Sequence, residues 1–318
     1  MSEAAVSVDL LTVGEVMRAL VAADGQTLDR AGSFHATIAG AESNVAIGLT
    51  RLGFRAALVG RVGADAAGRF VQRMLRAEGI DTGQVQPVTG ASTGLLLRDS
   101  SPGNLITVNY FRAGSAGSSV DADQVRRAWN DARPRWVHVT GITAMLSDAS
   151  RAALTALLGL AARAAVPVSL DVNLRTTLAP AERWRRPVRE LAEHADVVFA
   201  TTSELALLGP LAIERLVTAG STVVHKRENL TVALHSAEGT EVAEPLPAAV
   251  VDPVGAGDAL AAGYLSGRLR GDDLATSLRR GVACAAFAVE HWSDIGGLPD
   301  EAALARRLAA AESDPVSR

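Results

Sequence analysis

Val251-Asp252-Pro253-Val254-Gly255-Ala256-Gly257-Asp258-Ala259-Leu260-Ala261-Ala262-Gly263 sets two glycines around one alanine, puts a carboxylate directly after them, and continues in small residues. Glycine lets backbone N–H groups turn inward with no Cβ in the way. A helix opening here offers unpaired N–H donors and the positive end of its dipole. Together these seat anionic oxygens such as those of phosphate. Asp258 then stands beside an anion hole, placed to take a proton from a hydroxyl that attacks phosphorus. At the ordinary aspartate value, about 3.9, it is ionised but weakly basic and takes the proton late. The small residues from Ala259 to Gly263 allow close backbone packing. A plain glycine turn before a buried helix is the alternative.

Outward from this segment, apolar runs alternate with helical spacing. Residues 8–13, 56–62, 136–140, 167–171, 197–200, 222–225 and 231–235 read as strands. Residues 41–52, 66–78, 148–164 and 180–193, and segments opening at Asp258 and Asp273, read as helices. This alternation predicts an α/β fold with a mostly parallel sheet and helices on both faces. Ligands of such sheets sit beyond the carboxyl ends of the strands. Asp171, Glu204, Lys226 and Asp258 all fall at or just after strand ends. Residues 93–98 and 104–112 read as a hairpin around the turn Asp99-Ser100-Ser101-Pro102-Gly103. A hairpin between α/β units suits a small β-lid over a cleft. The lid is expected from segments of about 15–38 and 88–114, within a single α/β domain spanning 1–318.

A second element, Ala39-Gly40-Ala41-Glu42-Ser43-Asn44-Val45-Ala46, is followed by Gly53 and Gly63. It lies about 210 residues before the first. Alone it fits an ordinary helix entry. Together, in this order, the two resemble the N-terminal and C-terminal motifs of the ribokinase-like sugar kinases, the PfkB carbohydrate kinase family. The resemblance spans nearly the whole chain and implies the ribokinase-like three-layer fold. It implies that Gly40 brings backbone close to the sugar, that Asn44 bonds a sugar hydroxyl, that Gly255, Ala256 and Gly257 form the anion hole, and that Asp258 is the base. ATP and Mg²⁺ are implied as phosphoryl donor and metal.

Other segments look like parts of the same family. Asp171-Val172-Asn173-Leu174-Arg175 is similar to the D-x-N-x-R element of its acid-sugar branch, which implies Asn173 at the nucleotide phosphate and Arg175 at the substrate. A strand end with a solvated Arg is the other reading. Glu204 stands where relatives organise Mg²⁺ through water, but Thr201 replaces the usual Asn; Glu204 also fits a first-turn helix acid. Lys226 and Arg227 are implied at nucleotide phosphates, although the glycines usual after this lysine are missing; a solvated strand-end lysine is the other reading of Lys226. Asp252 is implied at a monovalent-cation site for K⁺, with Val254 in place of the usual Thr.

Asn109-Tyr110-Phe111-Arg112-Ala113-Gly114-Ser115-Ala116 carries the substrate clue. On a strand, Tyr110 and Arg112 point to one face. Arginine grips a carboxylate through two parallel N–H bonds, which a neutral hexose does not need. The segment resembles the Y-x-R-x-G-S-A element of 2-keto-3-deoxygluconate kinases, implying that Tyr110 and Arg112 contact an acid sugar. Arg112 also fits an exposed lid residue.

The chain has 318 residues, 48% of them hydrophobic, and a net charge of −4, enough for a large core and unsuited to nucleic acid. Lys226 is the only lysine. A single cysteine, Cys284, excludes an internal disulfide and fits a reducing cytoplasm. Residues 1–9 carry no signal-peptide pattern, and no apolar run is long and uncharged enough for a membrane span. No Walker-type phosphate loop and no zinc-binding histidine spacing occur. The expectation is an ATP-dependent kinase of 2-keto-3-deoxygluconate, acting at its terminal hydroxyl and pairing as a dimer through the exposed lid strand. A fructokinase or another sugar kinase of the family, and a non-catalytic sugar- or nucleotide-binding regulator, stand as alternatives.

Overall fold

The computed structural model describes residues 8–100 and 106–313. The end of the expected turn and residues 104 and 105 lie outside them, as do residues 1–7.

The strands are β1 (Leu10–Val13), β2 (Met17–Ala22), β3 (Phe34–Ala39), β4 (Ala56–Gly63), β5 (Val85–Val88), β6 (Leu95–Arg98), β7 (Val108–Phe111), β8 (Trp136–Thr140), β9 (Val168–Asp171), β10 (Val197–Thr201), β11 (Thr222–Lys226), β12 (Val232–Ser236) and β13 (Gly239–Ala243). The helices are α1 (Ala41–Arg51), α2 (Ala66–Ala77), α3 (Ala122–Ala132), α4 (Gly141–Leu146), α5 (Asp148–Ala164), α6 (Ala181–Ala192), α7 (Thr202–Leu208), α8 (Ala212–Thr218), α9 (Ala256–Arg270), α10 (Leu274–Ala288) and α11 (Glu301–Ser313).

The large sheet runs β13-β12-β11-β10-β9-β8-β1-β4-β5. From β11 to β5 every pairing is parallel, and β12 and β13 add an antiparallel edge. Alternate residues of one strand feed two cores. Leu10 and Phe199 join the core under α1, α9 and α10, whereas Leu11 and Val198 join the core under α3, α5 and α6. Strands buried on both faces read as near-continuous apolar runs, broken here only by buried or strand-end polar residues such as Thr12, His138 and Ser169, which is why β1, β8, β9 and β10 are visible in the sequence. Helix starts are fixed by side chains that accept first-turn amides: Asp65 from Gly68, Ser147 from Ser150 and Asp273 from Thr276. Each such cap is worth about 1 kcal/mol.

The hairpin of β6 and β7 does not stand alone. β6 also pairs in parallel with β2, and β2 pairs with β3, giving a second sheet in the order β3-β2-β6-β7. β2 alternates buried and half-buried residues before a buried end, and β3 is exposed over its first three residues and buried over its last three, so they leave a weaker mark in the sequence than the central strands.

Small residues set how closely α1 and α9 approach. A Cβ on Gly48 would lie 2.6 Å from the Cβ of Ala262. One turn earlier on each helix stand Asn44 and Asp258, and the close crossing lets Asn44 Nδ2 donate to Asp258 Oδ2 at 2.8 Å. On its other side α9 meets α10, where a Cβ on Gly263 would lie 2.8 Å from Cys284 Sγ. Gly48→Val is expected to force the helices apart, cost about 1–3 kcal/mol through overpacking, and lower kcat by breaking the Asn44–Asp258 contact. Thermal unfolding and turnover measured together check this; a variant with both values unchanged contradicts it.

Candidate active site

A cavity of about 450 Å³ opens between the carboxyl ends of β9, β10 and β11, the start of α9 and the small sheet. That lies within the range of ligand pockets, about 300–1,000 Å³. The floor carries Asp171, Asn173, Glu204 and Lys226, the mouth of α9 contributes Gly255, Gly257 and Asp258, and the small sheet supplies Arg98, Val108 and Tyr110. Gly40, Asn44, Arg112 and Arg175 line the same space, whereas the expected Arg227, Ala256 and Asp252 do not.

Gly255 caps α9 with φ 85°, a left-handed conformation that favours glycine. Gly257 and Asp258 occupy the first turn, whose N–H groups have no partner within the helix. Burial pushes the Asp258 carboxyl up to about 7; the Asn44 hydrogen bond opposes this, Asp171 and Asp294 add to it, and Arg175 works against it. This corrects the expectation of an ordinary, weakly basic aspartate, because neither burial nor the contact from Asn44 is visible in the local motif. Asn44 Oδ1 itself is buried without a partner. Gly40 is also required sterically: a Cβ there would lie 2.5 Å from the Glu15 carbonyl oxygen.

Lys226 ends β11 and forms an ion pair with Asp171 at 2.9 Å. Burial pushes the lysine down, but Asp171, Glu204 and Asp258 outweigh it and hold the ammonium above its usual value. Lys226 Nζ lies 3.7 Å from where a Gly257 Cβ would sit, so a fixed cation faces the start of α9. Arg227, the next residue, is not brought to the cavity wall; it closes the turn after β11 by pairing with Thr231. Ala256 likewise contributes no part of the wall and bonds its N–H back to Pro253.

Glu204 is a helix cap. Its Oε2 accepts from the Thr201 amide at 2.8 Å, its Oε1 accepts from the Leu174 amide at 2.7 Å, and Thr201 Oγ1 accepts from the Glu204 amide. Thr201 is thus the N-cap of α7, a role its hydroxyl fills as Asn would. Asn173 sits at φ 49° with its Oδ1 buried and unpartnered.

The substrate wall differs from the sequence expectation in one respect. Tyr110 and Arg112 do share a face, but Arg112 lies just past β7 and is paired with Glu15: its Nε donates at 2.7 Å and its Nη2 lies 2.5 Å away. Ser115 Oγ donates to the same carboxylate. Arg175 is exposed and, among the described residues, makes no ion pair. Glu15 was missed although it follows the end of β1, where the strand-end rule points. Glu42 was missed as well; it lines the cavity, accepts from Thr140 and Thr143 at 2.6 Å each, and burial pushes its carboxyl up against those bonds.

Asp252 requires a correction. It is buried and paired with Arg98 of β6, Nη1 to Oδ2 at 2.7 Å. The carboxylate that the resemblance assigned to K⁺ is thus engaged by a guanidinium of the protein itself.

The comparisons with known proteins agree with this geometry. The family profile of pfkB family carbohydrate kinases matches residues 8–301. The chain belongs to this family, is a phosphotransferase acting on carbohydrate, and has the ribokinase-like α/β fold. It is 32% identical to a 2-dehydro-3-deoxygluconokinase of Bacillus subtilis (strain 168) over 312 residues, covering 95% of this chain and 96% of that protein. A PfkB protein from Polaromonas sp. JS666 superposes with a TM-score of 0.84 at 32% identity, over 94% of this chain and 99% of that one. A putative Ribokinase II from E. coli, solved with ATP and Mg²⁺, superposes with a TM-score of 0.87 at 23% identity, over 95% and 99%.

Proposed function

We propose that the chain transfers the γ-phosphoryl group of ATP to the terminal hydroxyl of 2-keto-3-deoxygluconate, the sugar acid also called 2-dehydro-3-deoxygluconate. The observation that carries this reading is the placement of Asp258, bonded to Asn44 at the mouth of α9, in one cavity with Lys226 and the arginines. The name of the Bacillus subtilis relative supports the choice of substrate.

Asp258 takes the proton of the hydroxyl as its oxygen bonds to phosphorus, and the bond from phosphorus to the ADP oxygen breaks. A carboxylate near pH 7 is better matched to this task than an ordinary one. The amides of Gly255 and Gly257 receive the charge of the phosphoryl group in transit. Lys226 adds a fixed positive charge, and Asn173 Oδ1 is a buried acceptor awaiting a partner. Asn173 Oδ1 is the oxygen left to meet a hydrated Mg²⁺, a hard cation that keeps several waters, and Glu204, whose oxygens already accept backbone amides, would reach it only through such a water. When bound, that ion neutralises charge on the phosphates.

Gly40, Asn44 and Tyr110 contact the sugar, and Arg175 with Arg112 hold its carboxylate. Glu15 fixes the direction of Arg112 and offsets part of its charge, so Arg175 is the stronger anchor. The small sheet acts as a lid that excludes water from the phosphoryl group. Its outward-facing Phe111, 57% exposed, suits cover by a second copy, and light scattering should give a dimer. Among the described residues no helix is long and apolar enough to cross a membrane. The buried Cys284 thiol, pushed up to about 12 chiefly by burial, is an inert core group and accords with a cytoplasmic setting.

A coupled assay of ADP release across sugar acids and neutral sugars tests the substrate. Charge-assisted hydrogen bonds worth about 1.5–3 kcal/mol each predict a kcat/KM advantage of at least about 10² for the sugar acid over fructose. Equal or better turnover of fructose overturns the acid-sugar assignment.

A further inference from the structure

Arg98 is the last residue of β6, yet its guanidinium is 2% exposed and reaches out of the small sheet. It pairs with Asp252 at 2.7 Å, lies 3.5 Å from Asp294, and donates to the carbonyl oxygen of Trp292. These partners belong to two loops. Asp252 opens the loop into α9, where its Oδ1 also accepts from the Val254 amide at 2.9 Å. Asp294 lies in the loop after α10, and that loop presses on the anion hole: a Cβ on Gly255 would lie 2.8 Å from the Asp294 carbonyl oxygen and 3.1 Å from its Cα. A second contact from the small sheet meets the same loop, where the His35 ring packs on Trp292 with centroids 4.9 Å apart. One fixed positive charge therefore joins the two loops whose contact sets the position of Gly255.

A bare monovalent cation placed between two carboxylates and a carbonyl oxygen would do the same job. Here it would meet a guanidinium already in contact with all three groups. Burial raises the Asp294 carboxyl while Arg98 opposes that shift, which agrees with a site whose charge is met by the arginine.

We propose that Arg98 stands in place of a monovalent metal ion beneath the anion hole, a positioning residue that makes phosphoryl transfer independent of K⁺. The inference rests on the reading of residues 255–258 as the seat of the transferred phosphoryl group. Its test includes a readout that needs no turnover.

Wild type, Arg98→Ala and Arg98→Lys are compared in KCl, NaCl and choline chloride at equal ionic strength, by kcat and by the unfolding midpoint of the ligand-free protein. Wild type is expected to show the same kcat and midpoint in all three salts. Arg98→Ala leaves two buried carboxylates without their cation. It is expected to lose at least about tenfold in kcat in choline chloride, to recover part of it in KCl or with added guanidinium, and to unfold at higher temperature in KCl than in choline chloride. Arg98→Lys keeps a charge in place and should remain active and salt-indifferent, which keeps the test open if the alanine variant folds poorly. Three results overturn the proposal: a wild-type rate or midpoint that rises severalfold or by several degrees with K⁺, a folded Arg98→Ala that neither K⁺ nor guanidinium restores, or an Arg98→Ala indistinguishable from wild type in choline chloride. Failure of every sugar to turn over would instead count against the proposed reaction, and the midpoints would still decide the role of Arg98.

Discussion

Asp258→Asn is expected to lower kcat by at least about 10²-fold, the contribution typical of a positioned base, while KM for the sugar acid changes little. Asparagine keeps the shape of the side chain and can still accept from Asn44 Nδ2, so the sugar should bind as before. What it cannot do is take the hydroxyl proton. The same substitution should stabilise the protein. Burial lifts the folded-state value from 3.8 to about 7, with Asn44 opposing. A carboxyl raised in this way favours the folded state fully below its unfolded value, and that advantage is lost as pH rises through 7. Above pH 7 the wild type therefore keeps a buried charge that the Asn variant lacks. At about 1.4 kcal/mol per unit, and discounted by about half for solvent reaching the cavity, the gain is roughly 2 kcal/mol. It should be full at pH 8 and vanish near pH 4. Near-normal turnover, or a variant less stable than wild type at pH 8, contradicts the assignment.

Lys226→Met is expected to cost about 3–5 kcal/mol, because it strands a buried carboxylate. The Asp171 side chain is 1% exposed, and its ion pair with Lys226 at 2.9 Å is the main compensation for its charge. The double variant Asp171→Leu/Lys226→Met should recover most of that loss, since a buried ion pair replaced by apolar groups is often neutral in stability. It should not recover turnover, because the cation facing the start of α9 is gone. Chemical denaturation of the single and double variants separates the two effects. A single variant as stable as wild type contradicts this, and shows that the Asn173 Nδ2 donor, 3.2 Å from Asp171 Oδ2, suffices to hold the carboxylate.

The parts of this molecule that the sequence reveals are those whose determinants are close together in the chain. The central strands are buried on both faces and appear as apolar runs, and the glycines and carboxylate of residues 255–258 carry their chemistry within four positions. Thr201 was visible as a departure, and its reason, an N-cap whose partner Glu204 lies three residues on, is local as well. What was hidden depends on distant partners. Glu15 meets Arg112 across 97 positions, and Asn44 meets Asp258 across 214. Arg98 looks like the polar end of a strand until the small sheet folds over the loops at Asp252 and Trp292, and the K⁺ site expected at Asp252 came from the resemblance alone. The edge strands β5 and β13 lack a fully buried face and give no clear pattern. Arg227 follows Lys226 in sequence but turns away once β11 ends, a matter of strand geometry that a motif does not encode.

The poise of Asp258 is the claim from which the chemistry follows, and the pH dependence of kcat/KM for 2-keto-3-deoxygluconate at saturating ATP tests it most directly. The account predicts a rate that rises with one ionisation near pH 7 and levels off above it. A rate constant that is flat from about pH 5 to 8, as an ordinary carboxylate of value near 4 would give, contradicts it.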